Sequence, residues 1–224
     1  ATQTTSILGC SARIRVMGLD ERLAGSIRVA TTDSLGKHFV IPAITRMRAE
    51  HPSIDVVCVA SQDVANLTRR EADVAIRTVR PEAPDLIVRR LGTLQTGIYA
   101  SRAYVAACGT PEPGSRFEGH DLVLYQHSVA PTLPSALCGE PATSGREMFQ
   151  TSSTVMLVDA TVAGLGVAEL PCYRADLEAD LVRIMPQRSA DFDVWLVAHA
   201  DLYKTARIQV LINALVAQFA HSAA

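Results

Sequence analysis

Residues 25–34 read GSIRVATTDS, and the orderly part of the sequence begins with this stretch. Its first part, 26–30, alternates polar and apolar residues, which is typical of a β-strand with one buried face. The hydroxyl and carboxyl side chains that follow are the residue types that begin helices. Apolar residues then recur at helical spacing over 35–50, and the proline at position 52 ends the predicted helix.

The same alternation of strand and helix continues to residue 77. Residues 54–60 are dense in valine and predict a second strand, 61–67 predict a short helix, and 73–77 predict a third, buried strand. Strands that alternate with helices are typical of a parallel sheet covered on both faces. The first part of the chain is therefore predicted to be an α/β lobe.

The rest of the chain predicts a second α/β lobe. Residues 128–145 are rich in proline, serine and glycine and predict a mobile loop. We expect the last helix to pack back on the first lobe. The predicted strands are 86–90, 96–100, 122–125, 167–170 and 193–198, and the predicted helices are 154–163 and 203–219.

The predicted fold class is α/β, with two Rossmann-like lobes joined by two crossing strands. The predicted division is a linker remnant at 1–24, lobe I at 25–92 plus 200–219, lobe II at 100–192, and hinge strands at 93–99 and 193–199.

The composition is that of an ordinary globular protein. Hydrophobic residues make up 48% of the 224 positions, and the formal net charge is −2. This balance does not indicate the basic face of a free-standing DNA-binding domain. The sequence contains neither a run of about 18 apolar residues nor a recognisable secretory signal. We therefore expect a cytoplasmic protein with no membrane partner.

The five cysteines are odd in number and widely spaced. They form no CxxC pair, so a zinc site is not predicted. Reduced thiols of a cytosolic protein explain them, and a thiol redox sensor stays open as an alternative.

Motifs with a catalytic mechanism are absent from the sequence. The glycines at 164 and 166 follow a helix instead of a strand, so they do not form a dinucleotide-binding turn. No GxxxxGK[ST] or GxSxG segment occurs, and the six histidines are scattered. We expect no catalytic residue, no metal site, no cofactor and no enzymatic activity.

Three clusters of polar side chains each lie between a strand and the following helix, at 31–34, 61–62 and 151–153. In open parallel sheets, ligands bind outside the carboxyl ends of the strands, where helix N-termini present free N–H groups. Such a place suits a small anion, although each cluster is also explained as a helix cap. The candidate binding residues are Thr32, Asp33, Ser34, Ser61, Gln62, Arg77, Tyr125, Ser152 and Ser153.

Three of these candidates carry explicit alternatives. Arg77 ends a buried strand and could pair with a ligand carboxylate or with a nearby acid. Asp33 would repel an acidic ligand and would instead bind an amine or a hydroxyl. Tyr125 is predicted to be either a cleft wall or part of the core.

Several stretches, in order along the chain, resemble one known family. Residues 25–30 resemble its opening strand. Residues 71–77 (EADVAIR) resemble its G-x-x-D-hydrophobic-A-I-R run, although Arg70 stands where glycine is usual. Residues 100–111 resemble its Y-L-x-x-x-G-x-P segment, and 163–171 (AGLGVAELP) resemble A-G-x-G-I-A-x-L-P. This family is the effector-binding domain of LysR-type transcriptional regulators.

The resemblance implies a fold like that of type II periplasmic binding proteins, with an effector held between the lobes. It implies that Ser34, Ser61 and the pair Ser152-Ser153 lie where family effectors are held. It also implies homodimers and homotetramers, and DNA binding by an N-terminal winged helix–turn–helix whose linker ends within 1–24. RNA polymerase is a further possible partner of the full protein.

Two hypotheses from different classes follow. The first is an effector sensor that controls transcription, with thiol redox sensing as a variant. The second is a solute-binding protein that delivers a ligand to a transporter, because fold alone does not determine function. The lack of a signal peptide and the unpaired cysteines favour the first.

Overall fold

The computed structural model describes residues 23–60, 72–126 and 136–222. Among these residues, no helix combines the length and apolar character needed to span a membrane. The strands are β1 Gly25–Thr31, β2 Ile54–Ala60, β3 Val74–Arg77, β4 Leu86–Ser101, β5 Asp121–Tyr125, β6 Ala136–Leu137, β7 Glu140–Pro141, β8 Arg146–Thr151, β9 Ala168–Pro171 and β10 Leu181–His199. The helices are α1 Asp33–Leu35, α2 Ile41–Glu50, α3 Arg102–Cys108, α4 Thr154–Val162, α5 Cys172–Ala175, α6 Ala200–Tyr203 and α7 Ala206–Ser222.

The first lobe contains the predicted parallel strands. β1 is parallel to β2 along its whole length and parallel to β3 at Val29 and Ala30. A π-helical turn over Gly36–Val40 joins α1 to α2, so one helical run follows β1 as predicted. The sheet is mixed, however, because β10 returns from the second lobe and pairs antiparallel with β3. The parallel pairing expected for the strands of residues 25–77 is therefore confirmed, and the antiparallel pairing comes from the crossing strand β10.

Two long strands connect the lobes. Residues 86–90 and 96–100, predicted as separate strands, belong to the single 16-residue strand β4. Residues 193–198 are the last part of the 19-residue strand β10. The two strands are antiparallel from Leu86, opposite His199, to Ser101, opposite Leu181. This confirms the predicted architecture of two lobes joined by crossing strands.

The second lobe is assembled around β4 from residues distant in sequence. β9 pairs antiparallel with β4, and β5 pairs parallel with β8. The backbone N–H of Val123 donates to the Val167 carbonyl at 2.9 Å, which joins β5 to the segment before β9. The strand β8 was missed, because its side chains are mostly exposed and show no apolar alternation.

The prediction of a mobile loop at 128–145 is wrong for part of this range, which forms a hairpin. Residues 127–135 lie outside the described residues. Residues 136–141 form the short hairpin of β6 and β7, in which Leu137 and Glu140 are buried. The buried side chains of the hairpin make it part of the second-lobe core, which its proline- and glycine-rich composition did not predict.

The last helix, α7, packs on the first lobe as expected. Its apolar face is buried against β1, β3 and the helical run after β1. The ring of Phe219 stacks on the ring of Phe39, with centroids 4.2 Å apart and planes within 7° of parallel. Ile41 is an exception to the predicted apolar face of the earlier helix, because its side chain is 57% exposed.

Replacing Phe219 by alanine should remove this stacked pair and leave a cavity in the first-lobe core. We expect the free energy of unfolding to fall by about 3–5 kcal/mol, measured by urea denaturation. Asn213→Ala, at an exposed position of the same helix, should change it by less than about 0.5 kcal/mol. Equal effects of the two substitutions would contradict the packing assigned to α7.

Candidate functional site

The C-terminal end of β1 places three of the predicted residues in the first turn of the following helix. Thr32 is the N-cap of α1, where its hydroxyl accepts the Leu35 N–H at 3.3 Å. Ser34 is buried, with 1% of its surface exposed. Its backbone N–H donates to Asp33 Oδ1 at 2.6 Å. Thr32 is therefore explained as a helix cap, which was the alternative considered for it.

The C-terminal end of β8 presents a second helix N-terminus to the first. Ser153 is the N-cap of α4 and accepts the Met156 N–H at 3.2 Å. The Ser153 hydroxyl also donates to Asp33 Oδ2 at 2.5 Å. A hydrogen bond thus joins the helix N-termini of the two lobes, and it connects two of the residues predicted from sequence.

Tyr173 provides a second connection between the lobes, and sequence reasoning missed it. It lies on α5, directly after β9, and its hydroxyl is 2.8 Å from Ser34 Oγ. Its ring packs edge-on against the rings of Phe39, with centroids 5.0 Å apart, and His38, 5.5 Å apart. The sequence offered one signal for this residue: a tyrosine two positions after the proline that ends β9. The helix that carries it has only four residues, so no apolar periodicity revealed the helix.

The pKa of Tyr173 is raised to about 12, chiefly by burial. The hydrogen bond with Ser34 lowers this pKa and the negative charge of Asp33 raises it, and both effects are included in that value. The pKa of His38 is lowered by burial and then by the positive charges of Arg174 and Lys37. Both rings are therefore favoured in their neutral forms. The charged groups that act on these two neutral rings are the Asp33 carboxylate and the cations of Arg174 and Lys37.

Two polar atoms near the end of β1 are buried without a hydrogen-bond partner within the described ranges: Thr31 Oγ1 and His38 Nε2. Thr31 is 1% exposed. Buried polar groups in native proteins are almost always hydrogen-bonded. These atoms are thus candidates for contact with a bound molecule.

The other predicted residues either lie at the ends of the strands β3, β5 and β8 or lie outside the described residues. Arg77 is 4% exposed, and its guanidinium donates to the Ile76 carbonyl at 3.2 Å. Tyr125 is half-buried at the end of β5 and packs on the second-lobe core. Ser152 is exposed at the end of β8. Ser61 and Gln62 lie outside the described residues, so their assignment stays a prediction.

The cysteines that the structure describes are four free thiols. Burial raises the pKa of the Cys138 thiol to about 11, and burial also raises the pKa of Cys58. A raised pKa lowers the fraction of the reactive thiolate. The described thiols Cys58 and Cys138 are therefore poorly suited to sensing an oxidant.

Comparison with known proteins identifies the family. The model of the LysR substrate binding domain matches residues 20–220. The chain belongs to this family. It is an effector-binding domain of the LysR type, as the sequence motifs indicated, and the solute-binding alternative is not favoured because the curated relatives are transcriptional regulators.

Two relatives show the extent of this similarity. The LysR-type domain is 24% identical over 221 residues to the HTH-type transcriptional regulator CrgA of Neisseria meningitidis serogroup C, covering 95% of this chain and 73% of CrgA. It is 25% identical over 203 residues to the HTH-type transcriptional activator AaeR of Escherichia coli K12, covering 87% of this chain and 65% of AaeR. The chain thus spans about two thirds of the length of AaeR.

Solved structures confirm the fold of the LysR-type domain. The regulatory domain of CrgA from N. meningitidis matches with a TM-score of 0.77 at 22% identity, covering 88% of this chain and 99% of that one. The C-terminal domains of a LysR family protein from Agrobacterium tumefaciens match with a TM-score of 0.68 at 16% identity, covering 88% of this chain and 97% of that one.

The hydrogen bond between Ser34 and Tyr173 should appear as a coupling energy between the lobes. In a double-mutant cycle of Ser34→Ala and Tyr173→Phe, we expect a coupling of about 0.5–1.5 kcal/mol in the free energy of unfolding, measured with urea. Tyr203→Phe on α6 is the control, and its effect should add to that of Ser34→Ala within about 0.3–0.5 kcal/mol. Additivity in the first cycle as well would contradict the assigned contact.

Proposed function

We propose that this domain binds a small anionic metabolite between its two lobes and that binding alters transcription by the regulator to which the domain belongs. Its role is binding and not catalysis. The proposal rests on one observation. The helices that follow β1 and β8 approach each other at their N-termini, where Ser153 Oγ lies 2.5 Å from Asp33 Oδ2. Strand ends of this kind are where α/β folds hold their ligands.

The chemistry of the residues around this contact supports a polar, compact ligand. Hydroxyl groups of Ser34, Ser153 and Tyr173 lie at or between the two lobes. The unpartnered Thr31 Oγ1 is buried at the end of β1. These neutral hydroxyl groups can hydrogen-bond the polar groups of a small metabolite, and helix N-termini of the cleft favour a negative charge on it. The predicted residues Ser61, Gln62, Arg77 and Ser152 are proposed to complete the binding site.

We further propose that the full-length protein self-associates, acts in the cytoplasm and reaches DNA through an N-terminal winged helix–turn–helix. The names of CrgA and AaeR describe both relatives as HTH-type regulators, which supports this assignment. Contact with RNA polymerase is proposed as the route from effector binding to transcription. Thermodynamic linkage then requires that effector and DNA alter each other's affinity by the same factor.

A thermal-shift screen of the domain against small carboxylates, amino acids and aromatic acids tests the binding site. A ligand at about 100 times its dissociation constant adds about 2.7 kcal/mol to stability. For a domain of this size that corresponds to a rise in Tm of about 5–10 °C. Ser34→Ala should abolish the rise. Ser26→Ala, at an exposed position of β1, is the matched control and should preserve it.

The regulatory role is tested with the full-length protein and the promoter DNA next to its own gene. We expect a compound that stabilises the domain to change the DNA affinity or the DNA bend angle, measured by fluorescence anisotropy and by energy transfer between labelled ends. The Ser34→Ala protein should bind the same DNA without responding to the compound. An unchanged DNA complex in the wild-type protein at saturating compound would contradict the proposal.

A further inference from the structure

Both carboxylate oxygens of Asp33 accept hydrogen bonds at the contact between the lobes. Oδ1 accepts the Ser34 N–H at 2.6 Å, and Oδ2 accepts the Ser153 hydroxyl at 2.5 Å. An ionised carboxylate is an acceptor at both oxygens, so both contacts suit the charged form. One donor belongs to the first lobe and the other to the second, and the carboxylate therefore bridges the two lobes.

The Asp33 carboxylate contacts the N-cap residue of α4. α4 extends over nine residues, and its N-cap Ser153 directs its hydroxyl to Asp33 while accepting the Met156 N–H. The N-terminal turn of a helix favours a negative charge. In this protein the first lobe places a carboxylate, that of Asp33, beside the N-cap of α4.

The charge of Asp33 is not neutralised by a side-chain ion pair within the described part of the chain. The four ion pairs found among residues 23–60, 72–126 and 136–222 are Arg90–Asp193, Arg146–Asp121, Arg174–Glu178 and Arg188–Glu140. The described hydrogen-bond partners of Asp33 are neutral: the Ser153 hydroxyl and the backbone N–H of Ser34, whose own hydroxyl is bonded to Tyr173. A second carboxylate placed here would meet a like charge, whereas an ammonium or hydroxyl group would meet an acceptor.

We propose that Asp33 is a specificity-determining residue of the cleft. It occupies the carboxylate position at the N-terminus of α4, so the effector presents an ammonium or hydroxyl group to Asp33 and places its acidic group elsewhere in the cleft. Amino acids and hydroxy acids have this chemistry, and simple carboxylic acids do not. The inference rests on the proposed function and narrows its ligand class.

The first experiment tests whether the Asp33 position accepts a carboxylate, and it does not need the effector. In Asp33→Ala, sodium acetate should replace the missing side chain and raise the Tm by about 2 °C more than it does in the wild-type domain, with sodium chloride as the ionic-strength reference. The extra rise should disappear in the double variant Asp33→Ala/Ser153→Ala.

Asp159→Ala is the matched control, because it removes an exposed carboxylate from the same helix, α4, away from its N-terminus. Acetate should affect this variant as it affects the wild type. An acetate response that is equal in Asp33→Ala, Asp159→Ala and the wild type would overturn the inference. Thr32 still caps α1 in Asp33→Ala, so the variant keeps the start of its helix.

The second experiment starts from the acid that stabilises the wild-type domain in the ligand screen. It compares three compounds of the same carbon skeleton: the acid with hydrogen, with hydroxyl and with amino at its α-carbon. We expect the analogue that carries the donor to bind the wild type at least tenfold more tightly than the one without it, by isothermal titration calorimetry. Asp33→Asn, which keeps the shape and removes the charge, should reduce this preference for an amino group. Tighter binding of the analogue without a donor would overturn the inference.

The two proposals fail in different ways. If the screen response survives Ser34→Ala, the cleft is not the binding site and the proposed function fails, while the acetate comparison can still be read. If the response is lost in Ser34→Ala but donor-bearing and donor-free analogues bind the wild type equally, the proposed function stands and the role of Asp33 fails.

Discussion

The antiparallel pairing of β4 with β10 is the constraint on which the rest of the structure depends. The two strands are separated by about 80 residues along the chain, yet they pair from Leu86 opposite His199 to Ser101 opposite Leu181. β3 adds to β10 at one end of the pair, and β9 adds to β4 at the other. Each lobe therefore completes its sheet only when this pairing has formed.

Backbone details at the crossing follow from this pairing. The register shifts between Ile184 and Ser189 and again between Val194 and Trp195, and such irregularities increase the local twist of a strand pair. Gly97 lies at the crossing, where a Cβ would be 2.8 Å from Arg183 Nε and 3.0 Å from the Tyr99 ring. A side chain at position 97 would therefore require the Arg183 guanidinium to move and would press against the buried Tyr99 ring.

The candidate site depends on the crossing strands, because they determine which strand ends face each other. Once β1 and β8 are placed, the helices that follow them bring Asp33 to Ser153, and β9 brings Tyr173 to Ser34. Each such hydrogen bond contributes about 1 kcal/mol net. A ligand with comparable differential affinity can therefore shift the balance between lobe arrangements, which is the energetic requirement for an effector.

Most of the local elements, and the polar residues at their ends, could be predicted from the sequence alone. The alternation at 25–34 predicted β1 and its capped helix, the apolar spacing of the last helix predicted its packing face, and the family motifs predicted the two-lobed class. Asp33, Ser34 and Ser153 could be named as candidates because residues that precede or begin a helix have a short-range signature in polar side chains. Such signals depend on neighbours within about one helical turn.

Which of these residues contact each other depends on how the two lobes are joined. The continuous strands β4 and β10 were not predictable as single elements, because their exposed middle sections lack alternation and their pairing joins distant residues. Tyr173 was missed because its contact with Ser34 spans 139 positions in sequence. Local patterns report the environment of a residue along the chain, whereas its partners across a cleft are determined by how the sheets are joined.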